Sequence, residues 1–70
     1  MDYFEIRIQK LRSKIDHLEV DLKRRKRDYL GKIVMKFRGR TYYVSRDDHN
    51  SLEAMRRTLD AAFSILKKQT

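Results

Sequence analysis

The sequence predicts an α+β fold, mostly α: a long helix, a β-hairpin and a second helix that returns antiparallel to the first, with two chains forming a dimeric helical bundle. Three observations carry this expectation. Two β-branched and aromatic runs meet at Phe37-Arg38-Gly39-Arg40, a glycine-free stretch with heptad spacing precedes them, and a second amphipathic stretch follows. The 70 residues are expected to form a single domain, 1–70, with the first helix over about 3–29, the hairpin over about 32–44 and the second helix over about 46–67.

The first helix rests on Phe4, Ile8, Leu11, Ile15, Leu18 and Leu22, whose separations alternate between four and three residues. Ile8, Ile15, Leu22 and Tyr29 take heptad position a, and Phe4, Leu11, Leu18 and Arg25 take position d, giving a rod of about 40 Å at 1.5 Å per residue. Gly31 is read as the residue that stops it. The same spacing suits a coiled coil and a helix packed on its own domain.

The hairpin follows from Ile33-Val34-Met35-Lys36-Phe37 and Thr41-Tyr42-Tyr43-Val44. Glycine accepts the positive φ that a two-residue connection demands. With Arg38 and Gly39 as the turn, Ile33 faces Val44 and Met35 faces Tyr42 on an apolar side, while Val34 with Tyr43 and Lys36 with Thr41 form a mixed, basic side; a three-residue turn would shift this register by one.

The second helix has two capping candidates, Ser45-x-x-Asp48 and Asn50-x-x-Glu53, of which Ser45 is preferred because Asp47 and Asp48 would then occupy the first turn. Leu52, Met55, Leu59, Ala62 and Leu66 form its stripe. In the antiparallel register Leu22 meets Met55, Leu18 meets Leu59, Ile15 meets Ala62, and Glu19 faces Arg56. Phe4, Ile8, Phe63 and Ile65 find no partner in that register, which makes them the expected dimer interface. A second geometry pairs the first helix with its own copy, matching Lys14 with Asp21 and Arg12 with Glu19.

The net charge of +8 is concentrated. Between Lys23 and Arg46 lie ten basic residues opposed only by Asp28, so this segment carries +9 and the remainder −1. Such a concentration favours a polyanion. Arg25, Lys26, Arg27, Lys32, Lys36, Arg38 and Arg40 are the candidate phosphate contacts, and Tyr43, beside Lys36, is the aromatic candidate for a phosphate or a base. The expected function is therefore backbone-directed nucleic-acid binding, DNA ahead of RNA, by a small basic accessory protein. The alternative is a protein-interaction module, such as an inhibitor or adaptor of the kind mobile elements encode, whose basic tip docks on an acidic partner.

Other classes find little support. His17 and His49 lack a convergent ligand set, the serines lack a base partner and no glycine-rich phosphate loop occurs, so neither an enzyme nor a metal or other cofactor is expected. The absence of cysteine suits a reducing compartment, and neither a signal-peptide layout nor a membrane-spanning apolar run is present, so the expected location is the cytoplasm, away from membranes.

Overall fold

A computed structural model of the chain describes residues 2–69. Its elements run α1 (Tyr3–Arg12), β1 (His17–Arg24), β2 (Tyr29–Phe37), β3 (Arg40–Asp48) and α2 (Ser51–Gln69). The strands form one antiparallel sheet in the order β1-β2-β3, and α2 packs across β2 and β3, with α1 lying against α2. This overturns the helix–hairpin–helix expectation. The long first helix, the antiparallel helical seam and the bundle built on it give way to a three-stranded sheet with two helices.

The first helix ends early for identifiable reasons. Asp2 caps its start by accepting from the Glu5 amide at 2.8 Å, and its end tightens as the Lys14 amide donates to the Leu11 carbonyl at 3.1 Å and the Ser13 hydroxyl to the Lys10 carbonyl at 2.7 Å. The Asp16 amide then donates to the Lys36 carbonyl at 2.8 Å and opens the sheet ladder. From His17 the side chains alternate: Leu18, Val20 and Leu22 take the helix-facing side while Glu19, Asp21 and Lys23 take the other. Leu18 and Leu22 satisfy a heptad and a strand equally, but Val20 would lie on the outer side of a helix, whereas here it packs against the core. A two-stranded hairpin is marginal in water, and β2, the most apolar strand, gains a neighbour on each edge.

Gly31 does not terminate a helix. It lies inside β2, paired with Leu22 and Arg46, where α2 crosses the sheet. The β2–β3 hairpin pairs Ile33 with Val44, Met35 with Tyr42 and Phe37 with Arg40 around Arg38 and Gly39, which have φ of 54° and 74°. Both angles are positive, as a two-residue turn matched to the strand twist requires.

Pairing continues past Val44 to Asp48, which faces Tyr29, so Ser45 lies within β3 and cannot cap α2. Asn50 does so instead: its Oδ1 accepts from the Leu52 and Glu53 amides at 2.8 and 3.1 Å. Leu59, Ala62 and Leu66 are buried against the sheet, with Met55 half-buried, whereas Leu52 is exposed in the first turn. Arg56 does not meet Glu19 but binds Glu53 and Asp60 on its own helix, at 2.7 and 2.9 Å. Leu11, Leu18, Ile33, Met35, Phe37 and Val44 complete the core, and Phe4, Ile8, Phe63 and Ile65 pack half-buried against it within one chain.

Candidate nucleic-acid interface

Antiparallel pairing decides where each cation goes. Because cross-strand partners share a face, the side of the sheet turned away from the helices carries His17, Glu19, Asp21 and Lys23 from β1, Leu30, Lys32, Val34 and Lys36 from β2, and Thr41, Tyr43, Ser45 and Asp47 from β3. Lys32 and Lys36 belong to the expected interface, but Lys32 lies directly opposite Asp21, and Glu19 lies opposite Val34 between the two lysines. Asp21 thus offsets Lys32, whereas Lys36 lies opposite His17 at the hairpin-tip end of this face. Tyr43 projects from this face beside Val34 and is 78% exposed, the largest exposure among the prominent apolar side chains.

The remaining predicted contacts separate to the two ends of the sheet. Arg25, Lys26 and Arg27 form the β1–β2 turn next to Tyr29, whereas Arg38 and Arg40 flank Phe37 at the other end of β2. Eight strand steps of about 3.3 Å put roughly 26 Å between these groups, so they do not form a single surface.

At the β1–β2 end, Arg25 is committed to structure. Its guanidinium binds both oxygens of Asp28 at 2.7 Å and reaches Asp47 at 3.1 Å, while its amide donates to the Asp28 carbonyl at 2.8 Å and closes the turn. The hydrogen bond to Asp28 raises the Arg25 pKa, and the same bond holds the Asp28 carboxyl below the usual carboxylate range. His49 Nδ1 lies 2.9 Å from the Arg27 carbonyl oxygen, and Asp48 accepts from the Asn50 amide at 2.9 Å and approaches Arg57 at 3.4 Å. These interactions let Asp28, Asp47, Asp48 and His49 join the β1–β2 turn to β3 and the start of α2.

The other end gathers charge from three separate segments. Since α2 runs back along the sheet, its last turn reaches the hairpin tip, where the Arg38 guanidinium donates to the Gln69 carbonyl at 3.0 Å. The α1–β1 connection arrives at the same place: Lys14, Phe37, Phe63, Leu66 and Lys67 line one cleft, and Asp16 bonds the Lys36 backbone. Lys14, Lys36, Arg38, Arg40, Lys67 and Lys68 therefore lie on adjoining segments on which Asp16 is the only acidic side chain among the described residues. Beneath them Phe37 and Tyr42 stack with ring centroids 5.3 Å apart, supporting the turn from the helix-facing side.

Lys14, Lys67 and Lys68 are the cations that sequence reasoning missed. The signal for them is the short step from β3 to an amphipathic α2, because a helix that must bury one stripe folds back over the sheet and brings its basic last turn to the hairpin tip. Among the described residues no group of three or more histidine and carboxylate side chains converges to hold a metal, and no helix is long and apolar enough to cross a membrane. Compared with known proteins, the chain matches no family model, no curated protein and no solved structure.

Proposed function

We propose that the chain binds nucleic acid through backbone phosphates, using the end of the sheet that carries Lys14, Lys36, Arg38, Arg40, Lys67 and Lys68, with duplex DNA as its first ligand. One observation carries the reading: three segments distant in sequence contribute cations to one end of the molecule, and among their described residues there is a single acidic side chain. Neutralising phosphates with lysine and arginine releases condensed counterions and needs no base-specific groove contact. The offset charges on the open sheet face and the Arg25–Asp28–Asp47 ion pairs favour this end over the other two surfaces.

The test is a titration against duplex DNA, single-stranded DNA and RNA at two salt concentrations. A steep salt dependence is expected, with duplex DNA bound most tightly. Arg38→Ala with Arg40→Ala should weaken binding similarly across sequences and lower the salt slope by about 1 for each phosphate no longer neutralised. Arg24→Ala with Lys26→Ala removes the same charge from the opposite end and should leave most of the binding. Equal weakening by the two double variants, or no binding at low salt, would refute the proposal.

A further inference from the structure

Phe63 lines two clefts along α1, which together make up the α1–α2 groove. One, of about 400 Å³, is lined by Lys14, Phe37, Phe63, Leu66 and Lys67. The other, of about 330 Å³, is lined by Tyr3, Ile6, Arg7, Lys10 and Phe63. Tyr3, Ile6 and Lys10 fall on one side of α1, and Tyr3 and Ile6 are 58% and 52% exposed, a cost in water that burial by a partner would remove.

Charge along the groove has one sign. Arg7, Lys10, Lys14 and Lys67 line it, and no acidic residue among the described residues does. The nearby Asp60 is engaged on both oxygens, by Arg7 at 2.8 Å and by Arg56 at 2.9 Å. Arg7 also lies over the Tyr3 and Phe63 rings, 5.5 and 5.1 Å from their centroids, which fixes the middle of the floor. Along α1, Tyr3–Arg12, the groove has a wall about 15 Å long at 1.5 Å per residue, close to three helical turns.

We infer that this groove docks an acidic amphipathic helix of a protein partner, with apolar residues spaced i, i+3/i+4, i+7 on the aromatic and aliphatic floor and carboxylates against the flanking cations. Charge complementarity selects the acidic partner, and the apolar floor selects a helix over a nucleic-acid backbone, which offers nothing to bury there. Lys14 and Lys67 also belong to the basic end, so an acidic helix and nucleic acid should compete for the chain.

The experiment is fluorescence anisotropy of a labelled synthetic peptide of about 14 residues, three to four helical turns, with leucine and phenylalanine on one side and glutamate flanking them, titrated with the full chain and no nucleic acid. Its success or failure is thereby separate from that of the nucleic-acid reading. Binding should be about tenfold tighter than for a peptide of shuffled order and equal composition, or for one with lysine in place of glutamate. Lys10→Glu and, separately, Ile6→Ser should each weaken it about tenfold with circular dichroism unchanged, since both residues are exposed. Equal affinity for the shuffled peptide, or full affinity in both variants, would overturn the inference. So would a chain that sediments at twice 8.6 kDa and returns to single mass in Ile6→Ser, because the groove would then hold a second copy.

Discussion

Thr58 of α2 lies directly over Gly31 of β2, so close that a Cβ added at Gly31 would collide with the Thr58 hydroxyl oxygen and come within 3.0 Å of the Ala54 carbonyl. The Thr58 hydroxyl is itself occupied, donating to that carbonyl at 2.7 Å. The bare backbone of β2 therefore meets the Thr58 side chain and the Ala54 carbonyl of α2 directly. Gly31→Ala should cost about 1–3 kcal/mol through overpacking. Each kcal/mol should lower Tm by about 4–8 °C in a chain of this size. Thr58→Ala in the same chain should recover part of that stability, giving a coupling of at least ~0.5 kcal/mol in a thermal double-mutant cycle; strict additivity would show that the close approach is not the cause.

Val20 and Glu19 test the β1 assignment by alternation. Val20 faces the helices and packs against the core, whereas its neighbour Glu19 faces away. Val20→Lys should lose about 1–3 kcal/mol in urea unfolding by burying an amine. Glu19→Lys should stay within about 0.5 kcal/mol, as an exposed substitution. Equal effects at the two sites would contradict a strand here.

The hairpin tip should separate stability from binding. Arg38 holds φ of 54°, a left-handed conformation that costs a long side chain about 1–2 kcal/mol and suits asparagine far better. Arg38→Asn should therefore raise Tm by a few degrees while lowering the salt slope of DNA binding by about 1. Gly39→Val, at φ 74°, should lower both stability and binding. Melting and titration in one buffer would show whether the two properties move apart.

Two carboxylates set an acid limit on stability. Hydrogen bonding to Arg25 lowers the Asp28 pKa from 3.8, and hydrogen bonding to Arg56 lowers that of Glu53 from 4.5. A carboxyl depressed in the folded state stabilises it fully above the unfolded value, and the contribution disappears as pH falls through the folded value. The share of Tm that these two groups carry should be level above about pH 5 and decline below it as protons bind first to the unfolded chain. Asp28→Asn with Glu53→Gln should flatten part of that decline in a melting series from pH 6 to 2; an unchanged profile would show that other groups govern it.

The hairpin and the second helix were legible in the residues themselves. Gly39 between two β-branched runs gave the turn and the pairing of Ile33 with Val44, and Leu59, Ala62 and Leu66 gave the buried stripe of α2. The first strand was hidden because Leu11, Ile15, Leu18 and Leu22 satisfy a helical seam, and only Val20 argued for alternation. Its turn was hidden as well, since Arg25-Lys26-Arg27-Asp28 contains no glycine or proline and is closed by the Arg25–Asp28 ion pair. The candidate site was legible at Arg38 and Arg40, where charge adjoins the turn. Lys14, Lys67 and Lys68 were not, because their place depends on α2 folding back over the sheet.

The strand order β1-β2-β3 is also the order of the chain, so each ladder closes across a connection of only two or four residues. Loop closure then costs little entropy, and the sheet with α2 can assemble through contacts between sequence neighbours. The docking of α1 on α2 is different, because it joins opposite ends of the chain through Arg7–Asp60 and the packing of Phe4, Ile8 and Leu11. With ten residues and so few anchors, α1 is the part expected to open on its own, exchanging its amide hydrogens well before the sheet does. Each such opening would dismantle one wall of the α1–α2 groove while leaving the hairpin tip intact.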